Sequence, residues 1–322
     1  MNIKFKKKFF FFEFPKSILN SKRKFNYKKG WIIKLNSNNS INDGFGEIAP
    51  LFDEHISLCE KQLNMIPENI NRDKLTEKIY NFHPCVQSGI KSALGEIEGI
   101  IKYKEKYKFN EIHQSAILVD SFSVIEKLKE LKIVYKSKPR IFTIKWKVAT
   151  KENKIEEKIL EEILNQHENY IKLRIDANGS WNRQYANRWA EILSNNKSLD
   201  WIEQPLGIDD LEGLYELNKK IPVALDESLL KYPELVNSWK GWQIRRPSQE
   251  KNPLKLLEEL NNENSLKSLS SSFETGVGKR FLFHLSYLQL LGSTPKVPGL
   301  ALKQMPNTFL FKNDPKIIWN NL

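Results

Sequence analysis

The first third of the chain combines strand-like and helical patterns of apolar residues. Two strand-like stretches lie around residues 3–14 and 30–36. Apolar residues recur at helical spacing near 53–65, 71–80 and 84–104. Between the strands and the helices, Asn42-Asp43-Gly44-Phe45-Gly46 is rich in turn-forming residues and predicts a hairpin turn. These elements predict an α+β domain over residues 1–112.

After about residue 113, short β-rich runs alternate with amphipathic helices. The interval between runs is roughly 20–30 residues, the length of one βα unit. Seven or eight such units in series predict an α/β fold of the (β/α) barrel type. An open doubly wound sheet is the alternative, but it would be expected to carry a glycine-rich phosphate loop that this sequence lacks. The predicted strands are 115–119, 141–148, 171–176, 199–203, 221–225, 241–246 and 267–273.

Composition and charge are ordinary for a globular protein. The 322 residues are 40% hydrophobic and 28% charged, as in typical folded domains. The net charge of +12 raises the question of nucleic-acid binding, but the lysines are mostly scattered and interspersed with glutamates. A nucleic-acid binder needs a clustered basic face and a docking motif. We therefore expect no nucleic-acid partner.

The N-terminus and the cysteines bear on the cellular setting. Three lysines followed by four phenylalanines, at residues 6–12, are similar to the start of a signal peptide. The apolar run ends at Glu13 and Pro15, so we interpret the segment as a strand. No stretch approaches the ~20 apolar residues of a membrane span, so no membrane partner is expected. Cys59 and Cys85 lack zinc-type spacing, and the five histidines lack metal-ligand spacing. Two free thiols predict a cytoplasmic protein.

Three acidic residues follow consecutive predicted strands of the barrel. They are Asp176, Glu203 and Asp226. Because neighbouring strand ends of a barrel lie close together, these carboxylates are predicted to meet at one cation. Oxygen ligands favour Mg²⁺, with Mn²⁺ as a substitute. The alternative is three unrelated acids that cap the following helices.

A pair of lysines precedes these acids by one βα unit. Lys145 and Lys147 are two residues apart on a predicted strand, so they point to the same face. Two neighbouring ammonium groups disfavour each other's charge, which predicts a lowered lysine pKa and a base near neutral pH. The alternative is a solvent-facing pair. With a metal-bound carboxylate substrate, the lysine would remove a proton from the adjacent carbon.

On these and other motifs, the chain resembles the enolase superfamily, in its muconate-lactonising subgroup. The resemblance covers nearly the whole chain, and the order and spacing of the motifs make it specific. The residues that carry it are Gly44 to Leu51, Lys145-Trp146-Lys147, Leu173 to Asn178, Trp201 to Pro205, Leu225 to Ser228 and Ser270 to Gly276.

The resemblance implies a capping domain followed by a modified (β/α)₇β barrel at residues 113–300, with residues 301–322 returning to the cap. It implies Mg²⁺ at the three acids, Lys147 as the acid/base and Lys145 as its neighbour. The small-molecule carboxylate substrate would be 2-succinyl-6-hydroxy-2,4-cyclohexadiene-1-carboxylate. Its syn dehydration gives 2-succinylbenzoate, in menaquinone or phylloquinone biosynthesis. Other readings are a cycloisomerase, an N-acylamino acid or dipeptide epimerase, or a catalytically silent relative.

One departure from the family pattern concerns the sixth barrel strand. Arg246 stands where the family usually carries a lysine. Arginine stays protonated in essentially all settings and cannot act as a base. Racemases and epimerases need a base on each face of the substrate, whereas a syn elimination needs only Lys147. Arg246 therefore favours the dehydratase, in which it would supply a cation opposite Lys147.

Further candidates for substrate contacts come from the same motifs. Arg174 points to the same face as Asp176 and is predicted to bind the succinyl carboxylate, with a structural ion pair as the alternative. Ser270 and Ser272 are predicted to donate hydrogen bonds to that carboxylate. Gly276 would allow the backbone to approach it closely, or would only turn the chain.

Overall fold

The N-terminal phenylalanines form a strand whose side chains alternate between two environments. β1 (Asn2–Leu19) pairs antiparallel with β2 (Lys24–Asn36). Phe10 and Phe12 are buried, whereas Phe9 and Phe11 are 52% and 48% exposed. This period of two is that of a half-buried strand. The prediction of a strand is confirmed, and of the described helices none is long and apolar enough to cross a membrane.

The capping domain is a four-stranded antiparallel sheet covered by helices. The sheet has the order β3-β2-β1-β4, and its cluster of buried residues includes Ile33, Leu63 and Val86. The remaining elements are β3 (Gly44–Ile48), β4 (Asn69–Asn71), α1 (Ile56–Asn64), α2 (Arg72–Lys78) and α3 (Pro84–Ile97). The computed structural model describes residues 1–19, 24–38, 40, 42–103, 115–165, 170–260, 262, 265–301 and 305–322.

The predicted turn at residues 42–46 is wrong over its second half, because Gly44 begins the buried strand β3. α3 crosses this strand closely. A Cβ atom at Gly44 would lie 2.0 Å from the carbonyl oxygen of Ala93, and one at Gly46 would lie 2.0 Å from that of Gly89. The glycines therefore allow the strand and the helix to approach each other closely. Glycine is typical both of turns and of such close contacts, so the residue type alone does not distinguish them.

The third predicted helix ends seven residues early, at Ile97. Gly99 has φ +68°, in the left-handed region that glycine adopts most easily. The amides of Ile100 and Ile101 then bond back to the carbonyl of Gly95, which closes the helix end. Ile101 leaves the helix and is buried in an apolar cluster with residues of the second domain.

The second domain is built from a parallel sheet in strict chain order, β5 to β11. Its strands are β5 (Ile117–Asp120), β6 (Phe142–Lys147), β7 (Ile171–Asp176), β8 (Leu199–Glu203), β9 (Val223–Leu225), β10 (Trp242–Arg245) and β11 (Lys267–Leu269). Its helices are α4 (Val124–Ser137), α5 (Asn153–Asn165), α6 (Arg183–Leu193), α7 (Leu211–Asn218), α8 (Glu227–Lys231), α9 (Leu235–Ser238), α10 (Leu256–Glu259) and α11 (Gly276–Leu291). Apolar faces of strands and helices form a large core that includes the fully buried Ile175 and Trp189.

A short segment near Gly299 lies between the two edge strands of this sheet. The amide of Ala116, beside β5, donates to the carbonyl of Pro298 at 2.9 Å. On the other side, Gly299 donates to Leu269 and accepts from Ser271, both at 2.8 Å. The segment thus completes the ring of strands. The predicted fold, a capping domain and a modified (β/α)₇β barrel, is confirmed.

The C-terminal segment packs on the capping domain. α12 (Pro315–Asn321) contributes Ile318 and Trp319 to a buried cluster that also contains Phe10 and Phe12 of β1. The capping domain is also hydrogen-bonded to the barrel domain. The buried Glu47 of β3 accepts hydrogen bonds from residues at the start of α11. The predicted domain boundary at residue 112 lies outside the described residues, and the division of the chain stays a prediction.

Candidate active site

The three predicted metal ligands lie side by side at one end of the barrel. Asp176 and Glu203 are the last residues of β7 and β8 and stand opposite each other in the strand register. Asp226 directly follows β9. The three are only 1–2% exposed. Buried charge at strand ends is costly unless it is paired, so the partners of these oxygens decide the chemistry of the site.

Lys145 provides the first pairing. Its Nζ lies 2.9 Å from Asp176 Oδ2 and 2.6 Å from Glu203 Oε1. Burial opposes the ammonium charge, but the attraction of the two carboxylates outweighs it and raises the pKa of Lys145 above its ordinary value. The prediction of a lowered pKa is wrong for this lysine, because its closest charged neighbours are carboxylates. Lys145 therefore stays protonated.

Lys147 points to the same face of β6, as predicted. Its Nζ lies 3.3 Å from Asp176 Oδ2 and 3.0 Å from Asn178 Oδ1. Asn178, at φ 46°, also donates from Nδ2 to Glu227 Oε1 at 2.9 Å. Asn178 thus positions the Lys147 amine. Asn178 belongs to the Leu173-to-Asn178 motif, but the sequence analysis gave it no role of its own. The one available signal was that asparagine tolerates the left-handed region better than most residues.

Arg246 faces the acids from the other side of the barrel. Its Nε and Nη2 lie 2.8 and 2.6 Å from the two oxygens of Asp226, and its Nη1 donates to the carbonyl of Ser271. Burial opposes the charge, but Asp226 raises the pKa of the guanidinium above its already high value. This geometry agrees with the expectation that Arg246 is a permanent cation.

The carboxyl groups outnumber the cations that pair with them. Despite burial, the lysines hold the pKa of Asp176 well below its usual range, and Arg246 lowers the pKa of Asp226. Burial and the neighbouring carboxylates raise the pKa of Glu203 to about 8 and that of Glu227 to about 7. Oε2 of Glu227 is buried and has no hydrogen-bond partner among the described residues.

These donors fit a hard divalent cation. Four buried carboxyl groups and the amide oxygen of Asn178 supply oxygen ligands, as Mg²⁺ prefers. A divalent ion would also favour the ionised forms of Glu203 and Glu227, whose pKa values are otherwise raised. The same carboxylate oxygens are bonded to Lys145 and Arg246, so an ion at Asp176, Glu203 and Asp226 has to compete with these two cations.

A cavity of about 560 Å³ opens directly above this cluster. Lys145, Lys147 and Arg246 line it from the barrel, together with Ser270 and Ser271. Its volume is that of a site for a small organic molecule. The apolar part of the lining includes Ile18, Phe25, Leu51, Phe52 and Phe273.

The capping-domain part of this lining was missed in the sequence. Gly44 and Gly46 pack against α3. Phe25 of β2 and Leu51 with Phe52, a few residues after β3, reach the cavity. Leu51 closes the Gly44-to-Leu51 motif, which is the signal that pointed to this neighbourhood.

The other predicted substrate contacts have different surroundings. Arg174 donates to Asp200 Oδ2 at 3.0 Å and to the carbonyl of Val297 at 2.7 Å, and its guanidinium stacks 4.1 Å from the ring centre of Trp201. Its observed contacts are thus those of a structural ion pair inside the barrel. Arg174 is not among the residues that line the cavity.

Ser272 and Gly276 also lie outside the cavity lining. The hydroxyl of Ser272 is buried, and no hydrogen-bond partner for it lies in the part of the chain that the structure describes. Gly276 begins α11, and a Cβ atom there would lie 1.9 Å from the carbonyl oxygen of Lys312. The glycine is thus required for close packing of the chain on itself. Roles of both residues in substrate binding stay predictions.

Comparisons with known proteins agree with this architecture. The family model "Enolase C-terminal domain-like" matches residues 134–238. The o-succinylbenzoate synthase of Thermosynechococcus vestitus is 27% identical over 259 residues, which cover 75% of this chain and 76% of that protein. A hydrophobic dipeptide epimerase of a Flavobacteria bacterium is 38% identical over 73 residues, 22% of this chain and 21% of the epimerase.

A solved structure extends the likeness to the whole fold. The crystal structure of o-succinylbenzoate synthase from Thermosynechococcus elongatus, complexed with Mg in the active site, has a TM-score of 0.79 and 22% sequence identity. The match covers 99% of this chain and 100% of that one. The resemblance to o-succinylbenzoate synthase, in the enolase superfamily, is confirmed.

Proposed function

We propose that the chain catalyses the Mg²⁺-dependent syn dehydration of 2-succinyl-6-hydroxy-2,4-cyclohexadiene-1-carboxylate to 2-succinylbenzoate, in menaquinone or phylloquinone biosynthesis. The observation that carries the proposal is the pairing of one lysine with one arginine across the barrel. Lys147 is on β6 and Arg246 follows β10, four strands apart in a ring of eight. Such a site has a base on one face of the substrate and a permanent cation on the other.

The metal ion belongs to the acidic side of this site. Asp176, Glu203 and Asp226 would hold Mg²⁺, and Mn²⁺ would substitute for it. When bound, the ion would neutralise the substrate carboxylate and the negative charge that proton removal transfers to it. Lys145, which pairs with Asp176 and Glu203 in the structure, would have to release these oxygens to the ion and would then stand as a second positive charge beside this carboxylate.

Lys147 would carry the proton in both halves of the reaction. As the base, its amine takes the proton from the ring carbon that bears the carboxylate. The resulting ammonium gives that proton to the hydroxyl on the neighbouring carbon, the C–O bond breaks, and water leaves. Proton and hydroxyl depart from the same face, and the ring becomes aromatic. One lysine is therefore sufficient, and Asn178 holds its amine in place at 3.0 Å.

An epimerase of the same subgroup is the second candidate. The match of 38% identity to a hydrophobic dipeptide epimerase favours it over a short segment. Epimerisation requires that a second group on the opposite face return a proton to carbon. Arg246 occupies that side, is bonded to both oxygens of Asp226 and cannot exchange protons near neutral pH. The arginine therefore favours the dehydratase.

A direct assay tests the proposal. The whole protein is incubated with the cyclohexadiene carboxylate, and 2-succinylbenzoate is measured by its ultraviolet absorbance with Mg²⁺ and with EDTA. We expect turnover that EDTA abolishes and that Lys147→Ala lowers by about 10²- to 10⁴-fold, the usual contribution of a general acid/base. Lys172→Ala is the matched control, since this lysine bonds the carbonyl of Lys197 away from the site.

Two outcomes would count against the proposal. Full activity of Lys147→Ala would remove this lysine from the proton-transfer role. No product from the folded wild-type protein at saturating Mg²⁺ would favour a catalytically silent relative.

A further inference from the structure

The capping domain brings together three soft-metal ligands that the sequence spacing did not connect. Cys59 lies on α1, Cys85 lies in the first turn of α3, and His83 caps the same helix. The two Sγ atoms are 3.5 Å apart, and His83 Nδ1 is 3.1 Å from Cys85 Sγ. One ligand atom from each of the three side chains lies within 4.8 Å of the other two.

These separations are close to the edges of a zinc tetrahedron. Zn–S bonds of about 2.3 Å and Zn–N bonds of about 2.0 Å at the tetrahedral angle give edges of about 3.8 Å between two sulfurs and about 3.5 Å between sulfur and nitrogen. The observed Sγ–Sγ and Nδ1–Sγ separations of 3.5 and 3.1 Å are shorter by only a few tenths of an ångström. The ligand atoms of Cys59 and His83 lie within 4.8 Å of each other, and His83 Nδ1 also accepts from the amide of Cys85 at 3.3 Å. The His83 ring therefore has to rotate and release that amide before the three atoms can surround one ion.

The environment of the group combines a dry sulfur side with an accessible histidine side. Cys59 and Cys85 are 0% exposed and belong to the core of the capping domain. His83 is partly exposed, and the ring of His55 packs on it with centroids 4.8 Å apart. An ion can thus enter from the histidine side, and the buried sulfurs would hold it away from water.

We propose that Cys59, His83 and Cys85 bind one zinc-type ion that joins α1 to α3. Both thiols would lose their protons to solvent when the ion binds, as thiolate ligation requires. Thiolate and imidazole ligands select Zn²⁺ over Mg²⁺, whereas the carboxylates of the barrel have the opposite preference. The site is separate from the catalytic centre and would stiffen the helix on which the glycines of β3 pack.

Cobalt is the probe for this site, because Co²⁺ bound by thiolates absorbs in the near ultraviolet. The whole protein, reduced and freed of metal by a chelator, is titrated with Co²⁺ in the presence of excess Mg²⁺. We expect one equivalent with thiolate charge-transfer and tetrahedral visible bands, and displacement of both by Zn²⁺. Cys59→Ala and Cys85→Ala should lose the bands, and the control His284→Asn, in α11, should keep them.

Wild-type protein alone gives an independent measurement. Zn²⁺ should raise the melting temperature of the chelator-treated protein in excess Mg²⁺ and slow the alkylation of both thiols. Absence of a thiolate band, equal cobalt binding by Cys59→Ala and wild type, or no protection of the thiols by Zn²⁺ would overturn the proposal. A Cys59–Cys85 disulfide that re-forms in preference to ligation when Zn²⁺ is present would overturn it as well.

Discussion

Replacing Arg246 by lysine tests the one-base chemistry of this site. In the structure the arginine makes two hydrogen bonds to Asp226 and one to the carbonyl of Ser271. A lysine keeps the positive charge but cannot reproduce the fork of the guanidinium. The change therefore weakens a structural pairing and at the same time places a titratable amine opposite Lys147.

The expected gain in basicity can be worked out from ordinary pKa values. At pH 8 an arginine at its ordinary pKa is neutral in roughly 1 in 30,000 molecules, and Asp226 reduces this fraction further. A lysine with a pKa of about 10.4 is neutral in roughly 1 in 250. Arg246→Lys should therefore accelerate proton exchange from the second face by about 100-fold or more. The loss of one or two charged hydrogen bonds should lower the free energy of unfolding by about 2–4 kcal/mol.

The assay is proton NMR of an N-acylamino acid in D₂O, with each enantiomer supplied separately. Wild type should exchange the α-proton of one enantiomer only and should not racemise it. Arg246→Lys should exchange both and begin to racemise them. The matched control is Arg245→Lys, because Arg245 makes a similar set of bonds to Glu250 and Glu259 outside the cavity. This control should lose comparable stability without new exchange.

Racemisation by the wild-type protein at a rate similar to that of Arg246→Lys would refute the reasoning. It would show that the guanidinium, or another group on its side, already transfers protons to carbon.

Three further predictions concern stability. Burial raises the pKa of Glu47 to about 7, so the folded protein binds this proton more tightly than the unfolded chain does. The free energy of unfolding should therefore fall as pH rises from about 4.5 to about 7. Glu47→Gln should flatten this fall in urea titrations at several pH values, and an unchanged slope would contradict the prediction. Gly46→Ala would place a methyl group 2.0 Å from the carbonyl oxygen of Gly89 and should destabilise the protein by about 2–3 kcal/mol or more. In the control Gly207→Ala the added Cβ has no described atom within 4 Å, so the urea midpoint should change little. Lys145→Met removes the cation that competes at Asp176 and Glu203, so Mg²⁺ should raise the melting temperature of this variant more than that of wild type, and an equal shift would argue against ion binding there.

The barrel strands were predictable because their residues face buried surroundings on both sides. Parallel strands with two covered faces read as continuous apolar runs, and the runs at 171–176 and 199–203 match β7 and β8 residue for residue. An acidic residue at the end of such a run is conspicuous, because a carboxylate is costly to bury unless it is paired. β11 was predicted to extend to Phe273 but ends at Leu269, because the chain then turns so that Ser271 Oγ and the amide of Ser272 donate to the carboxylate of Glu274.

Contacts between distant segments were not predictable from local patterns. Gly44 was assigned to a turn because glycine signals turns and close packing alike, and only the position of α3 distinguishes the two. The protonation of Lys145 depends on acids from other strands. Cys59 and Cys85 meet only when α1 packs on α3. In each case the deciding partner lies far away in the chain.

The central claim is that three acids share one divalent ion that faces Lys147. A crystal structure with Mn²⁺ and 2-succinylbenzoate, recorded at a wavelength where manganese scatters anomalously, tests it directly. We predict one anomalous peak bonded to Asp176, Glu203 and Asp226, with a carboxylate of the ligand beside it and the Lys147 amine over the ring. A map without that peak, in which Lys145 and Arg246 still pair with the same carboxylates, would contradict the claim.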